Sequence, residues 1–178
     1  MAGKLAGMPA IIESLEHRSA RLSPHFGVRR PDRPGRGPAV LMLHGCGGIR
    51  PFMADMARVA ADAGASAIIV DSFTPRRINR VAAFATVCTG ARLQGRERAG
   101  DLYAAFAWAR RQDFIDPGRI VAAGWSHGGW TILDALALHA GHEMERATGL
   151  LGLPDEPLEL LLLGFHAPLQ LVPLGAKA

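Results

Sequence analysis

Lysine is nearly missing from this chain of 178 residues: Lys4 and Lys177 are the only two, so the positive charge is almost all arginine. The arginines run from Arg18 to Arg146 with acids between them. No basic stripe with interleaved aromatics forms, so despite a net charge of +4 the usual footprint of a nucleic-acid partner is absent. Long apolar runs are missing too. Even "LELLLLGF" at 158–165 falls far short of the roughly 20 residues that cross a bilayer, and no membrane partner is expected. The apolar stretch after Lys4 is broken by Gly7, Pro9 and Glu13, which is no secretory h-region, so a cytoplasmic location is the default expectation. Cysteine is equally sparse. Cys46 and Cys88 make no disulfide framework and lack the paired spacing of a zinc site. No metal and no cofactor is expected, and neither an internal repeat nor a domain linker is present.

What remains is an ordinary globular balance, 49% hydrophobic and 20% charged. The length suits one domain over residues 1–178 and is short for two. Residues 8–20 read as a short amphipathic helix with Ile11, Ile12 and Leu15 on one side. "PDRPGRGP" at 31–38 is a loop, and "AVLML" at 39–43 is a short apolar run of the kind buried on both faces of a sheet. A glycine-rich turn, "HGCGG", leads to a helix from about Pro51 to Ala63, with Phe52, Met56 and Val59 recurring at helical spacing as its apolar stripe. "SAIIV" at 66–70 is a second buried strand, and 72–92 reads as an irregular insertion. A helix over 95–111 carries Ala99, Leu102, Tyr103 and Phe106 near one stripe. A third strand, Ile120–Ala123, precedes a helix over 127–140. This alternation predicts an α/β fold: a mainly parallel sheet with helices on both faces.

The chemistry concentrates in "AAGWSHGGW" at 122–130. Gly124-Trp125-Ser126-His127-Gly128 fits G-x-S-x-G, in which a serine sits on a sharp turn between strand and helix. Ser126 is therefore the candidate nucleophile. The backbone N–H of His127, directly after it, is one candidate oxyanion donor. The turn "LMLHGCGG" at 41–48 comes at the right place in chain order to supply the other, from the N–H of Cys46. The Cys46 side chain is expected to be a small buried thiol. His44 is read as a buttress of its loop, and the His127 ring cannot easily turn back to serve its neighbour as base.

Taken together, "PAVLMLHGCGGI", "IIVDSFTPR", "VC" at 87–88 and "IDPGRIVAAGWSHGG" resemble the dienelactone hydrolase branch of the α/β-hydrolase family over roughly residues 26–140. The resemblance implies an eight-stranded hydrolase sheet and hydrolysis of a small-molecule ester or lactone through an acyl-enzyme. The best-known members carry cysteine as nucleophile, whereas this chain has Ser126, which favours a serine esterase. His44, Gly45, Asp71, Arg76 and Trp125 are the candidate substrate-side residues. Asp71 ends a strand and is open to a second reading, as a turn cap or the partner of Arg76 or Arg77.

The partners of Ser126 are harder to place. In this fold an acid and then a histidine follow the serine, on loops after later strands. Only 52 residues follow Ser126, room for one further strand, within 158–165 or 169–174, rather than two strand–helix units of about 30 residues or more. The expectation is a sheet cut short after about the sixth strand, with 158–178 an atypical, leucine-dense tail. Asp155 or Glu156 followed by His166 has the right order, making His166 the candidate base. His139 and His142 sit on the helix leaving the serine and point away. With Glu143 they lack further ligands for a metal. Three readings stay open: a serine hydrolase with an unusual base, a truncated hydrolase that binds ligand but turns over little, or an interaction module using an unpaired sheet edge, with a homo-oligomer as its outcome.

Overall fold

The protein, represented by a computed structural model, is described over residues 13–147 for the backbone and 13–138 for side chains. Helix α1 (Leu15–Leu22) starts at Ser14, whose hydroxyl accepts the His17 N–H. It buries Ser19 and Leu22, while Leu15, expected on the inner side, faces solvent. Ile11 and Ile12 lie outside the described residues.

Four strands form one sheet in the order β1-β3-β2-β4. These are β1 (Gly27–Arg29), β2 (Gly37–Leu43), β3 (Ser66–Val70) and β4 (Ile115–Gly124). β2 pairs in parallel with β3 and β4, setting Leu41 opposite Ile68 on one side and Ala122 on the other. β1 alone runs antiparallel, against β3. Parallel neighbours need crossover connections, and the helices supply them. α2 (Pro51–Asp62) links β2 to β3, α4 (Gly95–Ala109) precedes β4, and α5 (His127–Ala147) leaves it. This is the α/β architecture expected from the alternation of elements. The further strands expected at 158–165 or 169–174, and the tail from 158, lie outside the described residues.

Side chains alternate across the sheet. Ala39, Leu41, Leu43, Ile68 and Val70 pack against Ala99, Leu102 and Ala105 of α4 and Ile132 and Ala135 of α5. On the other face Met42 and Ala67 meet Met53 and Ala57 of α2. The inner stripe of α2 is not the one its large apolar residues predict. The stripe Phe52, Met56 and Val59 faces outward, 39%, 37% and 56% exposed, and α2 is buried through Met53, Ala57 and Ala61. Both stripes have helical spacing. Small alanines win the inner side because they let the helix axis lie close to the sheet.

The segment 72–92 is more ordered than an irregular insertion. A 3-10 turn (Thr74–Arg76) leads to α3 (Arg80–Ala82), capped by the Asn79 side chain, and then to a π-helical turn (Ala83–Val87). Phe73, Ile78, Ala83, Val87 and Leu93 make a small core of their own. Cys46 is not a free thiol: it forms a disulfide with Cys88, 42 residues away, with Cα atoms 5.4 Å apart. The bond joins the turn after β2 to this insertion. No helix among the described residues is long and apolar enough to cross a membrane.

Candidate active site

Ser126 stands between the end of β4 and the start of α5 with φ of 51°, in the left-handed region that a residue with a side chain enters only at a cost. The turn is fixed by Trp125 donating to the Leu43 carbonyl (3.1 Å), Gly128 to that of Trp125 (2.9 Å), and Trp130 to that of Ser126 (3.0 Å). Gly128 is required by space. A Cβ there would overlap the Leu43 carbonyl and come within 2.9 Å of the His44 oxygen. The helix start is thus pressed against the end of β2, and Ser126 is left exposed at the carboxyl ends of the strands, where such sheets hold their ligands.

The turn after β2 closes over the same point. A Cβ on Gly45 would lie 3.3 Å from the Ser126 Cβ and 3.8 Å from its Oγ. Gly48 donates back to the Gly45 carbonyl at 3.1 Å, which curls 45–48 into a tight loop. Cys46 stands on that loop, one residue past Gly45, and its side chain is held from outside by Cys88. The N–H of His127 belongs to the first turn of α5, where no carbonyl of the helix can accept it. Ser126, Gly45, Cys46 and the start of α5 therefore share one small region. Trp125 borders it, with its ring edge-on to Phe52 at 5.3 Å.

Both histidines near Ser126 are turned inward. His44 is fully buried between the Gly45 carbonyl, 2.8 Å from its Nδ1, and the Ser72 N–H, 3.3 Å from its Nε2. Its ring stands edge-on to Phe73. Burial, reinforced by the Arg98 charge, pushes its pKa down to about 3. His127 turns its Nδ1 to Arg98 at 3.0 Å, and burial with that same charge takes it down to about 4. Each ring is thus a weak base turned to partners other than Ser126, so neither is placed to take the Ser126 proton. The candidate base His166 and its proposed acids Asp155 and Glu156 lie outside the described residues, as do the side chains of His139, His142 and Glu143.

Asp71 caps a turn. Its carboxylate accepts the N–H groups of Phe73 (2.8 Å) and Thr74 (3.0 Å). Burial would raise its pKa, but the hydrogen bonds from Thr74 and Phe73 outweigh this and hold it below the usual range. Arg76 points inward rather than across to Ser126. Its guanidinium makes a two-pronged pair with buried Asp101 (2.7 and 2.9 Å) and donates to the Ser72 carbonyl. Arg18 reaches the same carboxylate from α1 at 3.1 Å.

Arg98, Asp101 and Ser72 were not among the residues singled out from sequence, yet they organise this end of the molecule. Arg98 is fully buried. It donates to the His44 carbonyl (2.7 Å), the Ser72 hydroxyl (3.0 Å) and His127 Nδ1. Burial lowers its pKa to about 10, so it is charged at neutral pH. One signal was available: Arg98 stands in line with Leu102, Ala105 and Ala109, a charge on the apolar stripe of α4.

Much of the chain resembles known structures, which cover between 62% and 74% of it. The fold is that of an α/β-hydrolase. It is similar to a protein described as a dienelactone hydrolase from Klebsiella pneumoniae, with 23% identity, a TM-score of 0.51, and coverage of 62% of this chain and 48% of that one. It is also similar to a dienelactone hydrolase-like promiscuous phosphotriesterase from metagenomic libraries, with 20% identity, a TM-score of 0.53, and coverage of 65% and 55%. A third likeness is to Est1E from Butyrivibrio proteoclasticus with ferulic acid bound, with 18% identity, a TM-score of 0.51, and coverage of 74% and 55%. The chain thus spans about half the length of the solved hydrolases it matches. Residues 83–144, about a third of the chain, match the family model of the prolyl oligopeptidase family. No curated protein shows detectable sequence similarity to it.

Proposed function

We propose that this hydrolase fold carries out serine-based hydrolysis of small carboxylic esters or lactones. The observation that carries the reading is Ser126 itself, exposed and held at φ of 51° in a strand–turn–helix junction with the Gly45–Cys46 turn against it. A strained residue at such a junction is the arrangement of a nucleophile elbow. The dienelactone hydrolase-like neighbours support the substrate class.

In this reading Ser126 Oγ attacks the ester carbonyl carbon while its proton passes to a base. The carbonyl electrons move onto oxygen, which the N–H groups of Cys46 and His127 stabilise. The alkoxide then leaves with a proton, and water hydrolyses the acyl-serine. Trp125 and Gly45 border the acyl group. The proposed base is His166, the candidate in the sequence, because His44 and His127, with pKa values lowered to about 3 and about 4, are weak bases turned to other partners. The Cys46–Cys88 bond favours an oxidising compartment over the cytoplasm, where exposed disulfides are rarely kept.

A fluorophosphonate probe and a p-nitrophenyl ester assay test the proposal together. Labelling and turnover should both vanish in Ser126→Ala. Turnover should fall in His166→Ala by as much as about a million-fold, the loss seen when a serine protease loses its base. Folded wild-type protein that binds a short ester but neither labels nor turns over would replace this proposal with the ligand-binding reading.

A further inference from the structure

We propose that Arg98 is the positioning residue of the oxyanion site, holding the two turns that carry its donors in fixed relation. The inference rests on the reading of Ser126 as nucleophile and extends it to a residue buried beneath the site. Three segments distant in sequence meet on this one guanidinium: the turn after β2 through the His44 carbonyl, the turn after β3 through Ser72 Oγ, and the start of α5 through His127 Nδ1.

The consequence for the donors follows from peptide planarity. A trans peptide points its C=O and the next N–H in opposite directions. Arg98 draws the His44 carbonyl inward, and the His44 ring engages the carbonyl of Gly45. Two successive peptide planes are therefore pinned by their oxygens, and the N–H groups of Gly45 and Cys46 face away from those anchors. Gly45 itself lies against Ser126, a Cβ there coming 3.3 Å from the Ser126 Cβ. His127 is fixed at the same time. With Arg98 donating to Nδ1, the ring is held as the neutral Nε2–H form beneath the first turn of α5.

A role limited to filling space does not account for the arrangement. A buried cation is costly, and a Leu or Met would fill the volume without that cost. The nearby carboxylate, Asp101, is bonded to Arg76 and Arg18 instead. Among the described residues, Arg98 Nη2 is also buried without a hydrogen-bond partner, a burden that a cluster selected for stability alone would shed.

The test compares Arg98→Met and Arg98→Lys with wild type in the full chain, by fluorophosphonate labelling of Ser126 and by amide hydrogen exchange. In Arg98→Met the labelling rate constant should fall about a hundredfold, the scale of a lost oxyanion donor, with the probe's binding affinity unchanged. Amides of Gly45, Cys46 and His127 should exchange faster while those of Leu41 and Ile68 stay protected. Arg98→Lys should recover part of the rate, since a compact ammonium has three donors but cannot span the separate Nε and Nη1 positions from which Arg98 reaches its partners. It also provides a folded variant where methionine is not tolerated. Wild-type labelling and unchanged exchange at Gly45 and Cys46 in folded variants would overturn the role of Arg98. Wild-type protein that fails to label would sink the nucleophile reading instead, and the exchange data would still decide on Arg98.

Discussion

On the face of the sheet covered by α4 and α5, Leu41, Leu43, Ile68, Val70, Leu102 and Ile132 are completely buried. On the opposite face α2 stands over Met42 and Ala67, leaving Val40 and Ile69 partly buried while Phe52, Met56 and Val59 look outward. The polar cluster under Ser126 hangs from the first of these faces, because Arg98 and Asp101 both belong to α4. Charge-assisted hydrogen bonds are strongest where water is excluded, and an ionised group can remain there only if it is partnered. The closed face thus gives the site both rigidity and electrostatic strength. The α2 face contributes Trp125's neighbour Phe52 and little else to the site.

Ion pairs should show the contrast most strongly. Asp101→Asn removes the carboxylate that Arg76 and Arg18 share. It should cost about 3–5 kcal/mol in urea unfolding, the range for breaking a buried pair. Asp55→Asn breaks the exposed Asp55–Arg58 pair on α2 and should stay within about 0.5 kcal/mol. Equal losses would mean that the two faces are not electrostatically different.

Acid is the next largest lever. His44 and His127 are held neutral in the folded protein but accept a proton near 6.5 once unfolded. Their contribution is complete above that value. It is lost as pH falls from 6.5 through about 4 for His127 and about 3 for His44. Each group adds at most about 1.4 kcal/mol per pH unit to that slope. Stability measured between pH 7 and 5 should fall, and His127→Gln should flatten the fall; a level profile would contradict the buried, neutral rings.

Apolar truncations separate the faces more finely. Leu102→Ala, inside the α4 layer, should cost about 3–4 kcal/mol, while Met53→Ala on α2 should cost about 2, because the thinner layer can collapse into the gap. The smallest effect belongs to Val59→Lys, within about 0.5 kcal/mol, accompanied by less self-association in sedimentation if the outward stripe of α2 is a contact.

These contrasts also mark what the residues alone disclosed. Strand β3 lies at 66–70 as its apolar run predicts, and Ser126 stands at a strand–helix junction as its flanking pattern predicts. Both signals are local. The inner face of α2 was misassigned because two helical stripes compete there and large residues outweigh alanine in any apolar reading. The hub around Arg98 was missed because its three partners come from turns after β2, β3 and β4, which only the assembled sheet brings together. The Cys46–Cys88 pair has no local spacing at all, and it exists because the insertion folds back over the first turn.

That bond also changes what a cut in the chain would do. Residues 46–88 form a closed covalent ring that includes α2, β3 and most of the insertion. Tryptic cleavage after exposed Arg77 or Arg80 would open the ring without releasing either piece. The cut chain would migrate as one species without reductant and as two with it. The turn bearing Cys46 would stay tethered to the segment running on to α4, so a nicked molecule keeps both halves of its site on a single covalent body.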